Sequence, residues 1–348
     1  MHYKNVHLIE KILSNLSLSD SEKLSRIRSV CDDMGKIEIP ENEKYARKLS
    51  DWVSLGESNT AITDKGISTG FTSVDKIIGG LFDEELVVIG ARPEMGMTQL
   101  SIQMALSISL NYPVLYYSFD ESRASFYKRI FRTFNEFCSF DNLPDKEKNL
   151  NTQQLIELSN NRQLYICDCF YYKQLSNLKG HIEREISEHK IKVVLINSIQ
   201  LMCLEKSNFR NRDLELSIII SDLKQLAKEY KISIILLSQL NRGPENRQGF
   251  EGKRPQLADL RDSGSLENYA NKVILLNRPV FNGVREDMLG NDLTNIAELI
   301  VDKNDTGETG TVKLFYSNGI FKDFENKSIS EFDFDSERLT EIDDYPPF

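Results

Sequence analysis

A short glycine-containing segment, Arg92–Thr98, follows the apolar run Leu86–Ile89 and is predicted to join a strand to a helix. Loops of this kind bind phosphate because backbone N–H groups and the helix N-terminus converge on the anion. A lysine then neutralises the phosphates, and a serine or threonine hydroxyl binds Mg²⁺. Gly96 and Thr98 occupy two of these places, but Met97 stands where the lysine is needed. By itself, the segment leaves both nucleotide binding and a plain strand-to-helix turn open.

The elements that would position this loop alternate along the chain. From Gly66 onward, short apolar runs are separated by longer amphipathic stretches, which is typical of βαβ units and a mostly parallel sheet flanked by helices. The predicted strands are Leu86–Ile89, Val114–Tyr117, Leu164–Cys167, Val193–Asn197, Ile232–Leu237, Val273–Leu276 and Ala297–Val301. The predicted helices are Met97–Leu110, Ser122–Phe134 and Asp213–Tyr230. A C-terminal β-hairpin is predicted from Thr311–Tyr316 and Ile320–Phe324, because Asn318 and Gly319 between them favour a tight turn.

Composition divides the chain into three predicted segments. Residues 1–60 are expected to be a helical N-terminal segment and linker, with Ser19 or Asp20 as the N-cap of one helix. Residues 61–326 contain the alternating pattern and are expected to form one α/β domain. Residues 327–348 are predicted to be an acidic flexible tail, because Glu331–Phe348 holds seven acidic residues and one basic residue.

The bulk composition argues against several classes of protein. A net charge of −10 and a pI near 5.2 disfavour a protein that coats nucleic acid on its own, although a few basic loops could still bind it. No stretch approaches the roughly 20 apolar residues that span a bilayer, so a cytoplasmic protein without membrane contact is expected. Five cysteines fit a reducing compartment. Cys167 and Cys169 are interpreted as two strand cysteines, with a metal-binding pair as the alternative.

Several motifs occur in the order found in one helicase family. ISTGFTSVDKIIGGL precedes the glycine-containing segment, and YYSFDES and VVLINSIQLM follow it. ILLSQLNRGPENR, KRPQLADLRDSGSLENYA and VDKNDTGETGTVKLFYSNGIFKDFEN come later. Over about residues 66–326, this series closely resembles the C-terminal motor domain of DnaB-type replicative helicases. The resemblance implies a RecA-like P-loop NTPase fold, a homo-oligomeric hexameric ring, ATP and Mg²⁺ at subunit interfaces, and single-stranded DNA in the channel.

The resemblance places a nucleotide site on three segments of the chain. Its residues would be Arg92, Pro93, Glu94, Met95, Gly96, Met97, Thr98, Gln99, Asn197 and Gln239. Met97 falls at the phosphate-binding lysine, and a thioether carries no charge. Thr98 falls at the Mg²⁺ hydroxyl, and Asn197 at the Walker B aspartate, where an amide brings no negative charge. Gln239 matches a glutamine that senses nucleotide, and Glu94 adds negative charge close to the expected phosphates.

Two further catalytic positions are also changed. Asp120 falls on the family's water-activating glutamate and is one methylene shorter. Asp305 falls where a neighbouring subunit would supply its arginine finger, a group worth roughly 10³–10⁵ in rate, whereas Lys303 of the same motif is retained. Because Met97, Asn197 and Asp305 together remove three charged groups aimed at one phosphoryl group, we expect negligible turnover of ATP.

The segments that would face DNA are less altered. The resemblance assigns contacts with the DNA backbone to Arg261, Asp262 and Gly264. Arg242, Arg247 and Arg254 surround a glycine-rich loop and are predicted to bind DNA as well. Lys253 adds a further positive charge to the glycine-rich loop that holds Arg242, Arg247 and Arg254. Arginine, lysine and backbone N–H groups bind phosphate without reading sequence, so salt-sensitive binding of single strands is one prediction. A solvated mobile loop without a ligand is the alternative.

The C-terminal residues carry a second, shorter resemblance. DFDSERLTEIDDYPPF looks like the acidic tip of bacterial single-stranded-DNA-binding proteins. In that comparison Asp343, Asp344, Pro347 and Phe348 would dock on replication proteins. A solvated tail that aids solubility is the alternative.

Three functions remain open at this stage. The first is an ATPase-deficient relative of replicative helicases that binds DNA, replication proteins or active subunits as a scaffold or regulator. The second is an active 5′–3′ helicase in which Lys303 or Arg92 supplies the missing positive charge. The third is a binding module whose main work is done by the tail. Another RecA-like ATPase, such as a recombinase, is disfavoured because LSQLNR and DLRDSGS match the helicase family more specifically.

Overall fold

The computed structural model describes residues 65–324, apart from 136–142, 169, 205–211, 248, 261–262 and 288, together with residues 19, 22, 23 and 26. Internal contacts divide the chain into two units, Met1–Thr63 and Asp64–Phe348. The predicted tail, 327–348, lies outside the described residues, as does Cys169 of the proposed cysteine pair.

In the N-terminal unit, Ser19 caps a helical turn. The Glu22 backbone N–H donates to Ser19 Oγ at 3.4 Å, and the Ser19 N–H donates to Glu22 Oε2 at 3.0 Å. This reciprocal pair is a capping box, which satisfies backbone donors that the first helical turn leaves unpaired. Ser19, one of the two predicted N-caps, therefore acts as a cap, and Asp20 lies outside the described residues.

Within the described residues, the larger unit contains one sheet with the strand order β3-β2-β4-β5-β1-β6-β7-β8-β9. The strands are β1 (Leu86–Ala91), β2 (Val114–Ser118), β3 (Leu164–Cys167), β4 (Val193–Asn197), β5 (Ser233–Gln239), β6 (Lys272–Asn277), β7 (Ile296–Asn304), β8 (Gly310–Ser317) and β9 (Ile320–Asp323). Strands β1 to β6 pair in parallel, and β7 to β9 continue the sheet antiparallel. The predicted mostly parallel α/β sheet and its C-terminal hairpin are confirmed.

Helices cover both faces of this sheet. They are α1 (Thr72–Ile78), α2 (Met97–Ile108), α3 (Arg123–Phe134), α4 (Asp145–Asn160), α5 (Leu175–His189), α6 (Arg212–Tyr230), α7 (Gly243–Asn246), α8 (Phe250–Lys253) and α9 (Ser263–Tyr269). The three predicted helices correspond to α2, α3 and α6 with small shifts at their ends. Helices α1, α4, α5, α7, α8 and α9 are additional to the prediction.

Strand β1 shows how the core divides between the two faces. Its alternating side chains point to opposite sides of the sheet. Val87 and Ile89 belong to a core packed with α1, α2 and α3, whereas Leu86 and Val88 belong to a core packed with α5, α6 and α9. All four side chains are fully buried, as expected for the central strand of a doubly covered sheet.

Register places the ends of β1, β2, β4 and β5 together. Ala91 is level with Gln239, and Ser118 is level with Asn197. In open parallel sheets, ligands bind outside these carboxyl ends. The loops that follow the strands can therefore contribute to a single cleft.

Candidate functional site

A cleft of about 320 Å³ opens at the carboxyl edge of the parallel strands. Among the described residues, its lining is Ala91, Arg92, Pro93, Glu94, Gly96, Met97, Thr98, Gln99, Asp120, Glu121, Arg129, Arg132, Asn197, Gln239, Tyr316 and Gly319. The structure thus places nearly all the residues predicted from the three nucleotide-site segments around one cavity. Met95 is buried in the adjoining core.

The loop between β1 and α2 requires glycine at its last position. Gly96 is the N-cap of α2 and has a φ of 98°, a left-handed backbone conformation that residues other than glycine rarely adopt. A Cβ atom at this position would lie 2.9 Å from Cζ of Phe321, on strand β9. The hairpin β8–β9 therefore packs directly on the loop, and this contact leaves no room for a side chain.

Met97 uses the first position of α2 for packing. Its side chain is half-buried and lies against the core on the α2 face of the sheet. A thioether adapts well to such a position but cannot neutralise phosphate. The structure therefore gives Met97 a packing role in the apolar core.

The next pair joins the loop to strand β4. Nδ2 of Asn197 lies 3.4 Å from Oγ1 of Thr98, and the Asn197 side chain is almost fully buried. The backbone carbonyl of Asn197 also accepts a hydrogen bond from Phe119 at 2.9 Å. Asn197 is thereby fixed with its amide directed at the threonine hydroxyl.

Arg92 is the first residue of the loop, and its side chain contacts residues that follow β5. Its guanidinium forms an ion pair with Glu245 and donates to the backbone carbonyl of Leu240 at 2.8 Å. An arginine engaged in this way neutralises Glu245 first. It is therefore a weak substitute for the lysine that the resemblance implies at position 97.

Two carboxylates follow strand β2 and meet different environments. Glu121 forms an ion pair with Arg129 of α3, with Nη2 and Oε1 2.6 Å apart. The Asp120 side chain reaches the surface at the mouth of the cleft, yet nearby protein atoms partly desolvate its carboxyl group and raise its pKa. The negative charge of Glu121 raises this pKa further.

Helix α3 supplies two cleft residues that the sequence analysis missed, Arg129 and Arg132. Their spacing of three puts both on one face of the helix, which was the available signal. Arg132 is exposed and, within the described part of the chain, has no acidic partner. Tyr316, from β8, was also missed; the guanidinium of Arg278 lies over its ring, 3.7 Å from the centroid.

Comparison with known proteins identifies the family that shares this arrangement. The DnaB-like helicase C terminal domain family matches residues 66–326, which is most of the chain. The chain belongs to this family.

Relatives of the DnaB-like domain agree with that assignment. The chain is 33% identical over 275 residues to the replicative DNA helicase DnaB of Buchnera aphidicola subsp. Baizongia pistaciae, covering 77% of this chain and 57% of the relative. It is 30% identical over 293 residues to DnaB of Haemophilus influenzae, covering 79% and 58%. The chain thus spans somewhat more than half the length of these relatives.

Solved structures show the same fold. The ATPase domain of G40P superimposes with a TM-score of 0.69 at 27% identity, covering 81% of this chain and all of that one. A DnaB-like replicative helicase, solved in a study of its interactions with primase, gives a TM-score of 0.72 at 26% identity, covering 93% and 76%. The predicted RecA-like fold is therefore confirmed.

The cleft of this DnaB-like domain is a poor match for Mg²⁺. Magnesium prefers carboxylate and water oxygens in near-octahedral geometry. Here an amide group of Asn197 faces Thr98, and Glu121 is already paired with Arg129. No cluster of three or more His, Cys, Asp or Glu side chains is positioned to hold a metal ion among the residues that the structure describes.

Gln239 ends strand β5 beside the loop of the DnaB-like domain. Its side chain is exposed, and its backbone N–H donates to Oε1 of Gln200 at 3.2 Å. Nε2 of Gln200 donates in turn to Oγ of Ser238 at 2.9 Å. Gln200 therefore fixes the backbone from which Gln239 projects.

Lys303 and Asp305 lie at the opposite edge of the sheet. Lys303 is level with Val273, near the start of β6. Its Nζ donates to the backbone carbonyls of Glu267 at 2.9 Å and Ala270 at 2.7 Å, and lies 3.5 Å from Asp305. Within one copy of the chain, neither residue contributes to the cleft.

The predicted DNA-facing arginines differ in their surroundings. Arg247 forms an ion pair with the buried Asp259, and Arg254 pairs with the buried Glu298 at 3.2 Å. Arg242 is exposed, and no ion-pair partner lies beside it among the described residues. Lys253 donates to the backbone carbonyl of Asn282 at 3.4 Å.

The remaining predicted sites are described only in part. Gly264 lies in the first turn of α9. Arg261, Asp262 and the tail residues Asp343, Asp344, Pro347 and Phe348 fall outside the described residues. Their proposed contacts stay predictions. Among the residues described, no helix is long and apolar enough to cross a membrane.

Proposed function

We propose that this DnaB-like domain acts in DNA replication without hydrolysing ATP, as a scaffold or regulator that binds DNA or replication proteins. The observation that carries the proposal is the position of Met97. It occupies the lysine position, packs against the apolar core and offers no charge to a phosphate. Family membership supports the role in replication.

The rest of the cleft supports the same proposal. Arg92 is paired with Glu245, and Lys303 is held at the far edge of the sheet. Neither side chain is therefore placed to restore the missing charge within one copy. Electrostatic stabilisation by fixed charges is usually the largest contribution to phosphoryl transfer, so its loss reduces the rate more than any other change.

The proposed partners follow from the relatives. Single-stranded DNA, replication proteins and active DnaB subunits are the candidates, and a homo-oligomer, a hexamer in the family, is the expected assembly. A solved DnaB-like replicative helicase was studied for its interactions with primase, which supports a replication protein as partner. Cytoplasmic localisation is also proposed, because the relatives are replicative helicases.

An active 5′–3′ helicase is the second candidate. Its support is the intact loop geometry at Gly96 and the presence of Thr98, Asp120 and Gln239 around the cleft. In that case ATP would be hydrolysed with Asp120 in the role of the usual glutamate.

Steady-state ATP hydrolysis in the presence of single-stranded DNA separates these functions. We expect the unaltered chain and Thr98→Ala to show the same background rate, because the charges needed for phosphoryl transfer are missing. Folding of both proteins is checked by circular dichroism. Robust turnover that Thr98→Ala abolishes would overturn the proposal and favour the active helicase.

A further inference from the structure

The cleft contains three arginines, and two of them are already neutralised. Arg92 is paired with Glu245, and Arg129 with Glu121. Arg132 is exposed and has no carboxylate beside it in the described part of the chain. A guanidinium without a partner can still form charge-assisted hydrogen bonds to an anion. Arg132 therefore carries the available positive charge of the lining.

The position of Arg132 relative to the hairpin is also defined. Its Cδ and Nη1 atoms lie 3.0 Å from the point where a Cβ atom on Gly319 would sit. Gly319 belongs to the turn between β8 and β9, and Phe321, two residues later, packs on Gly96. The arginine, the hairpin turn and the glycine of the loop thus line the same cavity.

Helix α2 contributes a buried acceptor atom, Oε1 of Gln99, that has no hydrogen-bond donor among the described residues. Gln99 is 2% exposed and lines the cleft. Its Nε2 donates to Oγ1 of Thr133 at 2.9 Å, but its Oε1 accepts no hydrogen bond from the described residues. A buried acceptor without a donor is costly, and ligands or water commonly satisfy it. Oε1 of Gln99 is therefore an acceptor beside the cleft that the described residues leave unpaired.

We infer that the cleft binds the polyphosphate group of a nucleotide without Mg²⁺, with Arg132 in the role that lysine and metal share elsewhere in the family. The amide of Asn197 holds the Thr98 hydroxyl as an acceptor, which leaves the hydroxyl proton to donate to a phosphate oxygen. Backbone N–H groups at the start of α2 add donors. The inference concerns binding alone and goes beyond the proposed scaffold role.

Calorimetric titration of the full chain tests this inference. The probes are ATP, ADP and inorganic triphosphate, each measured in EDTA and again with excess Mg²⁺. We expect ATP affinity to change by less than about threefold between the two buffers, because Asn197 brings no negative charge to the Thr98 hydroxyl and Glu121 is already paired with Arg129. If inorganic triphosphate binds as tightly as ATP, the cleft recognises the phosphates alone. If it binds more weakly, the cleft also contacts the nucleoside. Either result agrees with the inference.

Variants identify the residue responsible. Arg132→Ala should weaken ATP binding at least tenfold, because it removes charge-assisted hydrogen bonds to the phosphates. Arg132→Lys should fall in between, since lysine keeps the charge but not the planar fork. Arg123→Ala is the matched control, because Arg123 lies on the same helix, is paired with Asp168 and does not line the cleft.

Three results would overturn the inference: ATP binding that requires Mg²⁺, equal losses in the Arg132→Ala and Arg123→Ala variants, or no binding at millimolar ATP in either buffer. Because Arg132 is exposed, its substitution should leave thermal unfolding unchanged, and circular dichroism verifies this. ATP turnover is measured separately. Turnover together with metal-independent binding would overturn the scaffold proposal and leave this inference standing.

Discussion

Several charged residues of this domain form ion pairs with each other. The pair formed by Lys272 and Glu85 is the most buried: Nζ lies 2.6 Å from Oε2, and Lys272 is 0% exposed. Lys272 also donates to the carbonyl of Gly80 at 2.9 Å and lies over the ring of Phe82. Burial lowers the pKa of Lys272, while Glu85 opposes that change. Such a pair depends on both members, because either charge alone would be stranded away from water.

Removing either Lys272 or Glu85 alone should therefore lower the free energy of unfolding more than removing both. We expect Lys272→Met to lower the free energy of unfolding by about 3–5 kcal/mol, because Glu85 is left as a buried charge. The double variant Lys272→Met with Glu85→Gln should recover most of this loss. Urea denaturation measures both values. Lys179→Met, which opens the half-exposed pair with Asp222, is the control and should cost about 0–1 kcal/mol. Additive losses in the double variant would contradict this expectation.

Elements differ in how well the sequence predicted them. The central strands were predictable because each is an unbroken apolar run, as in Val193–Asn197, and parallel strands covered on both faces need such runs. Helix α4 was missed because it packs only weakly: of the residues Leu150, Leu155 and Ile156, Leu155 alone is buried. A helix with so narrow an apolar face gives little periodic signal.

The candidate site was predictable to a different extent. The loop and the ends of β4 and β5 were found because motif order fixes their places. The contribution of α3 was not, since a basic residue on an amphipathic helix is normally solvated, and only the packing of α3 beside the loop turns Arg132 toward the cleft. The pairing of Arg92 with Glu245 spans distant segments and has no local signature.

The arginines in the loop after β5 are expected to have different roles, one in binding DNA and one in stabilising the fold. Because Arg242 is exposed, Arg242→Ala should weaken binding of single-stranded DNA and reduce the slope of log affinity against log salt by about 0.7, the value for one phosphate contact.

Arg247→Ala should instead lower the free energy of unfolding by about 1–3 kcal/mol, because it leaves the buried Asp259 without its ion pair. Fluorescence anisotropy across a salt series and urea denaturation provide the two readouts. An unchanged slope for Arg242→Ala would argue against DNA contact by this loop.

At the scale of the whole molecule, the pH dependence of stability is expected to involve His181, which lies on α5. Nδ1 of His181 lies 2.6 Å from the hydroxyl of Tyr117, and Nε2 lies 3.3 Å from Glu185. The ring of Tyr172 packs on the imidazole with centroids 4.1 Å apart. Burial lowers the pKa of His181, although Glu185 acts in the opposite direction. The folded protein therefore favours neutral His181.

This preference predicts how stability changes with pH. Above about pH 6.5, the usual pKa of histidine, His181 is neutral in both states and its contribution is complete. Below that value the unfolded chain binds a proton more readily than the folded one, so stability falls until the lowered folded pKa is passed. Urea midpoints measured from pH 7.5 to 5.5 should drop more steeply for the unaltered chain than for His181→Gln. Parallel curves would show that His181 is not responsible.

Strand β1 also determines when the domain can be completed during translation. Its neighbours β5 and β6 are encoded far downstream, so β1 cannot pair with β5 until Gln239 has been made, and its second edge stays unpaired until Asn277 has been made. Chains of this kind expose apolar strands for seconds at ordinary elongation rates. The contact between Phe321 and Gly96 comes later still, near the end of the described domain. The Arg92–Thr98 loop, encoded early, is thus among the last parts of the described domain to reach its final surroundings, and a nascent chain stopped before the hairpin would present it uncovered.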